Sequence, residues 1–375
     1  MPIRVCHIST VHPDNDVRIV QRECGTLAQA GYDVHLVIPT DRVRVENGVT
    51  FHPVRTPRSR VFRMLLAPWT ALRTALRTRA EIFHFHDPEF LPAAFVLRWL
   101  FRKPVVYDVH EAVAGQILNK TWIPGPLRRP VSLWYRVVER CLTPGLKFVL
   151  ANERSVPDYP PTAYLVRNFP RLREPERVAA AVSKRPQPPL LIYLGAVSEE
   201  RGALVYIRLA GELARRGRDF RMMIIGQMWP PFDRTMRAEI DAQKVSDRVT
   251  FHGRMENSQA MEHVAQATIG LSLLLPNPNT LVALATKILE YMMAGTPVLA
   301  SNFPHWETYV TGERSGLAVD PTRMDDIVRA CEQLLDDPAE LDAMGARGAA
   351  AVRTRFNWST EFAVLHRCYQ NLLRK

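Results

Sequence analysis

Residues Leu275–Ser301 read LPNPNTLVALATKILEYMMAGTPVLAS. The apolar run Ile269–Leu275 that leads into them has the length of a buried strand. A Pro/Asn cluster then marks a loop. The following stretch has helix length and stops at Gly295, and Val298–Ala300 opens another apolar run. Two strands with no polar face, joined by a helix, make a parallel βαβ unit. Lys287 and Glu290 lie three apart on this helix and share one face. Their neighbours Ile288, Leu289, Tyr291, Met292 and Met293 are apolar. The bland alternative is a surface Lys–Glu pair. Charges set in an apolar helix are costly unless paired or working, so a role is expected. Glu290 suits the two hydroxyls of a ribose, and Lys287 or the loop amides suit a phosphate.

The same alternation extends in both directions. Upstream, short apolar runs occur at Ile3–Ser9, Val34–Ile38, Glu81–His86, Val105–Val109, Phe148–Ala151 and Tyr164–Val166. Leu190–Leu194, Met222–Ile225, Val249–His252 and Leu317–Val319 complete the second half. The expectation is an α/β protein of two doubly wound, Rossmann-like domains facing a cleft. Residues 171–189 are charged and then proline-rich, which places a hinge near 180–189. The expected domains are 1–180 and 190–358, with residues 359–375 forming a terminal helix that returns to the first. Ligands of open α/β sheets bind beyond the carboxyl ends of the strands, so the loops after each strand are the place to look.

Composition excludes several classes. Of 375 residues, 47% are hydrophobic and 23% charged, the balance of a globular chain. Cys6, Cys24, Cys141, Cys331 and Cys368 are scattered, odd in number and never spaced C-x-x-C. They suit free thiols in a reducing compartment better than disulfides or zinc. The opening MPIRVCHIST lacks the apolar core of a signal peptide. Phe90–Phe101 is too short to span a bilayer and is broken by Arg98. A cytoplasmic location follows as the expectation. The net charge of +11 is lopsided: residues 1–186 hold 28 Lys and Arg against 16 Asp and Glu, and the remainder 21 against 22. The basic half suits an anionic substrate or membrane, and lacks the aromatic interleaving of a nucleic-acid reader. Within it, Ser59–Arg79 (SRVFRMLLAPWTALRTALRTR) mixes Met64, Leu65, Leu66, Trp69, Leu72 and Leu76 with arginines. It reads equally as an interfacial segment on the inner face of a membrane or as a helix packed on its own sheet, with Pro68 setting the helix start.

Motif by motif, G-x-G-x-x-G, G-x-x-x-x-G-K-[ST] and G-x-S-x-G are absent, which disfavours dinucleotide oxidoreductases, P-loop nucleotidases and serine hydrolases. Leu190–Gly202 (LLIYLGAVSEERG) is a strand, a polar loop and a helix start. Such an N-terminus attracts phosphate, and Arg201 can reach the same anion, although most βα turns bind nothing. His84, His86, Asp87 and Glu89 have the composition of a metal cluster, but no further ligand set accompanies them, and no metal is expected.

Taken together, KILEYMMAGTPVLAS closely resembles the donor-binding helix of retaining GT-B glycosyltransferases of family four, group 1. Asp16–Val34, FHFHDPE at Phe83–Glu89, VYDVHE at Val106–Glu111, Tyr193–Gly202, VTFHG at Val249–Gly253 and FNW at Phe356–Trp358 continue the resemblance in order. It implies a nucleotide sugar in the second domain and an acceptor in the first. Glu290 resembles the ribose-binding glutamate and Arg201 the basic residue on the diphosphate. Gly253 and Arg254 fall where the base is edged by backbone, Gly195 and Thr286 complete the donor set, and His110 matches the histidine beside the donor sugar. His110, Arg201 and Lys287 are the implied catalytic groups. His12, Asp16, Arg18, His86 and Glu89 are the acceptor-side candidates. The family's first glutamate is Val282 here, and its arginine after the strand glycine is Ala196. Lys287 is the candidate substitute for that arginine.

The implied activity is retaining, metal- and cofactor-independent transfer from a UDP-sugar, favoured over a GDP-sugar, to a glycan or lipid-linked glycan of a bacterial cell-surface polysaccharide. No nucleic-acid partner is expected. A nucleotide-sugar epimerase and a non-catalytic nucleotide-binding paralogue are the alternatives.

Overall fold

The computed structural model describes residues 2–57, 59–110, 113–119, 123–172, 186–277, 280–281 and 284–374. The position of the missing family glutamate, Val282, and most of the expected hinge lie outside these. The chain divides into two compact units, Met1–Asn168 with Trp358–Lys375, and Phe169–Asn357. The division falls ahead of the proline-rich connection because Phe169 already packs on Tyr309 and Phe356.

The first unit holds β1 (Arg4–Ile8), β2 (Asp33–Ile38), β3 (Arg44–Glu46), β4 (Val49–Pro53), β5 (Ile82–Phe85), β6 (Val105–Val109), β7 (Lys147–Leu150) and β8 (Tyr164–Leu165). Their order in the sheet is β3-β4-β2-β1-β5-β6-β7-β8, all parallel except the β3–β4 hairpin. That hairpin was not expected from the hydrophobic runs. Its signal is Asn47-Gly48, both at positive φ as a two-residue type I′ turn requires. Strand order reverses at β1/β5. One face of the sheet carries the apolar cluster of Leu72, Leu91, Leu97 and Phe85. On the other face Trp358, Leu365 and Tyr369 of the terminal helix Trp358–Leu373 pack with Ile19 and Leu36.

The helix Arg60–Arg77 runs through Pro68 and does not start at it. The segment packs on its own sheet, as one of the two readings has it, but not along its whole length. Leu72 and Leu76 pack into the core, whereas Met64, Leu65, Leu66 and Trp69 stay exposed. No helix among the described residues is long and apolar enough to cross a membrane.

The second unit holds β9 (Leu190–Leu194), β10 (Arg221–Ile225), β11 (Val249–His252), β12 (Ile269–Ser272), β13 (Val298–Ser301) and β14 (Gly316–Val319). All are parallel, in the order β11-β10-β9-β12-β13-β14, and the reversal lies between β9 and β12. β12 carries a glycine for a packing reason. A Cβ at Gly270 would stand 2.5 Å from the ring of Tyr291, whose hydroxyl donates to the Leu271 carbonyl and accepts from the Leu194 amide. Replacing Gly270 by Val forces ring or strand to move, at a cost of about 1–3 kcal/mol. The expected readout is a fall of several degrees in Tm by calorimetry; an unchanged Tm would refute this packing constraint.

Candidate active site

In the second unit the loops after β9 and β12 meet at the strand reversal, where ligands of such sheets bind. Three glycines permit the approach. Gly202, at φ +77°, faces the Leu273 carbonyl, which a Cβ would meet at 1.9 Å. Gly226 at φ +157° stands equally close to the Gly195 carbonyl, and Gly195 itself has φ +135°. The Leu275 amide donates to the Glu200 carbonyl at 3.0 Å, tying the two loops together.

Lys287 enters this junction from the first turn of the helix Thr286–Met293. It is only 6% exposed. Its Nζ lies 3.9 Å from the centre of the Tyr193 ring and would be 3.1 Å from a Cβ on Gly195. That ammonium has no hydrogen-bond partner among the described residues. Burial pushes its pKa well below the usual lysine range, the charge of Arg201 pushes further, and Glu290 opposes both. Tyr193 donates its hydroxyl to the Ala196 carbonyl at 2.7 Å, and burial raises it to about 12 against the pull of Arg201. Arg201 itself is exposed, ahead of the helix Ala203–Arg215. Two cations thus press on one another beside a glycine turn and a helix start. An anion with several oxygens would relieve both.

The structure therefore brings Gly195, Arg201, Thr286, Lys287 and Glu290 to one place. Gly253 and Arg254 are exposed at the carboxyl end of β11, two strands from β9.

In the first unit the ends of β1, β5 and β6 hold a network of charged and imidazole groups. Asp108, fully buried in β6, receives a fork from Arg18, Nε to Oδ2 at 3.0 Å and Nη2 to Oδ1 at 2.9 Å. His86 Nδ1 and His110 Nε2 lie 3.1 and 2.9 Å from the same Oδ2. Burial alone would raise the Asp108 carboxyl, but Arg18 and His110 hold it well below the usual range. Further in, His86 Nε2 meets His7 Nδ1 at 3.0 Å, and the Tyr369 hydroxyl bridges His7 Nε2 at 3.0 Å and His84 Nδ1 at 2.7 Å. At the outer edge, His12 pairs with Asp87 at 3.0 Å and its ring centre lies 5.0 Å from that of His110. Burial opposes the charged form of His12, but its bond to Asp87 and the charges of Asp87, Asp16 and Asp108 together outweigh this and raise it, while Asp87 is held at about 2.

These contacts sort the acceptor-side candidates and the catalytic candidate His110. His12 and His110 are partly open and adjacent. Arg18 and His86 are buried and committed to Asp108. Asp16 caps its helix by accepting from the Ile19 amide at 2.9 Å, and Glu89 accepts from the Thr10 hydroxyl at 2.7 Å. His7, Glu23, Asp108, Tyr193 and Tyr369 were not singled out from sequence. His7 and Asp108 had a signal, a polar group inside an apolar strand.

Glu23, His84, His86 and Asp108 place ligand atoms within 4.8 Å of one another, the geometry of a cation site. Arg18 Nε lies 3.1 Å from Glu23 Oε1 as well as on Asp108, so a guanidinium already supplies the positive charge there.

Two tests follow. Lys287→Met removes a buried, unpartnered amine and should stabilise the protein by about 1–3 kcal/mol at pH 7. The unfolded chain binds the proton that folded Lys287 gives up, so the wild type gains stability as pH rises toward the ordinary lysine range. The gain in Tm should therefore be smaller at pH 9.5 than at pH 7; equal gains would contradict a depressed Lys287. In the first unit, burial first and mutual repulsion second hold His7 and His84 well below the usual histidine range, and burial also lowers His86. The unfolded chain takes up protons that these rings refuse, so stability falls as pH drops below the ordinary histidine range. The slope reaches about 1.4 kcal/mol per pH unit per histidine. Urea unfolding between pH 7 and 5 should show it, with a shallower slope in His84→Gln.

Known proteins are similar to this chain. The family model for glycosyl transferases group 1 matches residues 176–351, and that for the glycosyl transferase 4-like domain matches residues 17–159. The alpha-D-kanosaminyltransferase of Streptomyces kanamyceticus is 30% identical over 171 residues, 46% of this chain and 42% of that protein. The chain thus spans less than half the length of the first curated relatives it matches. Among solved structures, sucrose-phosphate synthase from Thermosynechococcus elongatus superposes with a TM-score of 0.76 at 16% identity over 99% of both chains. Anabaena HepE in complex with UDP superposes with a TM-score of 0.72 at 12% identity, over 99% of this chain and 100% of that one. With the two parallel sheets and their strand reversals, these matches establish that the chain belongs to the group 1 glycosyltransferases of family four and has the GT-B fold.

Proposed function

We propose that the protein transfers a sugar from a nucleotide-diphosphate sugar, UDP-linked in preference to GDP-linked, to a hydroxyl of a glycan or lipid-linked glycan. The observation that carries this reading is the Lys287 amine, without a hydrogen-bond partner among the described residues and set beside Arg201 and the Gly195 turn at the strand reversal of the second unit. A diphosphate meets both cations there, and Glu290, one turn along the helix, takes the ribose hydroxyls. The HepE structure with UDP supports this choice of base.

In the proposed reaction the acceptor oxygen bonds to the anomeric carbon as the bond from that carbon to the β-phosphate oxygen breaks. Lys287, Arg201 and the helix N-termini stabilise the charge that grows on the departing diphosphate. The acceptor hydroxyl yields its proton to that phosphate, on the face the leaving group occupied, so configuration is retained and no metal takes part. His110, oriented by Asp108, is the catalytic group of the first unit, and His12 with Asp87 borders the acceptor. The basic first unit suits an anionic or lipid-linked acceptor at the inner face of a bacterial membrane, in cell-surface polysaccharide synthesis.

The test is thermal unfolding with UDP, GDP, ADP and dTDP. Ligand at a hundred times its Kd adds about 2.7 kcal/mol, or roughly 5–10 °C for a unit of this size. UDP should give the largest rise and Glu290→Ala should reduce it. No rise with any nucleotide would sink the donor site. A rise without transfer to any acceptor would mean a nucleotide-binding paralogue.

A further inference from the structure

The first unit carries a surface that the transfer chemistry leaves unused. Three helices, Arg60–Arg77, Leu91–Trp99 and Gly125–Leu142, lie side by side, the first packed on the second and the second on the third, which also takes the short helix Val113–Asn119. All three bury their inner sides in one apolar cluster, through Leu72 and Ala75, Leu91 and Leu97, and Tyr135 and Leu142 respectively. They form a single layer on one face of the sheet, the face opposite the terminal helix.

The outer side of this layer is apolar. On the first helix Phe62, Leu65, Leu66 and Trp69 recur at i, i+3, i+4 and i+7, a spacing that makes one continuous stripe, and all four are exposed. The buried stripe of the same helix is a different one, Ala67, Ala71, Leu72 and Ala75. At the end of the second helix Trp99, Leu100 and Phe101 are open, with Leu100 73% exposed. On the third, Leu133, Trp134 and Val137 are open, with Trp134 64% exposed. Large apolar side chains are thus open on all three helices, and grouped exposure of this kind marks interaction surfaces.

Arginines accompany the patch. Arg73, Arg77, Arg102, Arg129, Arg136 and Arg140 are all exposed. The three helices hold one acidic residue, Glu139, and it already accepts from the hydroxyls of Tyr135 and Tyr159. A second copy meeting this face would set arginine against arginine. An anionic surface with an apolar interior answers both halves of the patch. Tryptophan favours the boundary of such a surface, and arginine its phosphates.

We propose that this three-helix face docks the protein on an anionic lipid bilayer, lying in the interface without crossing it. Leu65, Trp69, Leu100, Phe101, Leu133 and Trp134 enter the headgroup boundary, and the arginines rest on lipid phosphates. The proposal draws on the reading above only for its purpose, which is to bring the first unit to a lipid-linked acceptor. Docking itself needs neither nucleotide nor acceptor.

The experiment is flotation of the full chain with vesicles of phosphatidylcholine alone, or with one third phosphatidylglycerol. Binding to the anionic vesicles should be at least about tenfold tighter and should weaken as salt is raised. Two double variants, Leu100→Ser with Phe101→Ser and Leu133→Ser with Trp134→Ser, should each weaken it by about tenfold or more. Both should keep the wild-type Tm and UDP response, because these side chains are exposed and the donor loops belong to the other unit. Wild type that ignores vesicles, binds both kinds equally, or binds as well after these substitutions would overturn the proposal. So would a lipid-free dimer that the Leu133/Trp134 variant abolishes, which would assign the face to a second copy. Wild type that binds neither kind of vesicle yet keeps its UDP response sinks docking alone. The reverse pattern sinks the donor site alone.

Discussion

A carboxylate in the middle of a parallel sheet has to be answered, and the fork of Arg18 on Asp108 is that answer. Asp108 sits in Val-Val-Tyr-Asp-Val with no exposure. Unpaired, it would cost several kcal/mol. Arg18 reaches it from the π-helical segment Val17–Cys24, and its remaining nitrogen donates to the Val166 carbonyl at 2.9 Å. One side chain therefore joins the segment after β1, the centre of β6 and the end of β8. The Oδ2 that takes the Arg18 Nε bond also meets His86 and His110, so the orientation of His110 follows from a fully buried charge pair.

The second unit treats its buried charge in the opposite way. Lys287 is as deeply buried as Arg18, yet among the described residues no carboxylate forks onto it, and Arg201 adds a second positive charge to its surroundings. A structural lysine would be paired or replaced by an apolar residue of similar length. Leaving it unanswered makes sense where an anionic ligand supplies the missing charge, which is how perturbed groups come to mark functional sites. The glycines at 195, 202 and 226 belong to the same arrangement. Side chains there would separate the loops and open the pocket that holds the ammonium.

The outer layer of the first unit shows that a helix can be apolar on two sides for two reasons. In Arg60–Arg77 small residues and Leu72 face the sheet, where close packing rewards them, while the large ones face outward. Core packing cannot account for the second set, and the arginines beside it indicate the kind of surface it suits.

Much of this was legible in the sequence. Short apolar runs at helix-length intervals determined two doubly wound units, because burial on both faces leaves a parallel strand no other composition. Lys287 and Glu290 were visible for the same reason, as charges where an apolar helix has no use for them. The Asn47-Gly48 hairpin was readable but masked by its short, polar edge strand, and Pro68 was read as a boundary although the helix tolerates it. What only the tertiary structure decided is which polar residues answer one another. His7, Glu23, Asp108 and Tyr369 are separated by up to hundreds of positions along the chain and meet only because β1, β5, β6 and the terminal helix stack. Likewise, Arg18 and Asp16 look alike as candidates in sequence. Folding commits one to a buried carboxylate and the other to a helix cap, because a partner's position in space, and not its distance along the chain, sets the energy of a charge.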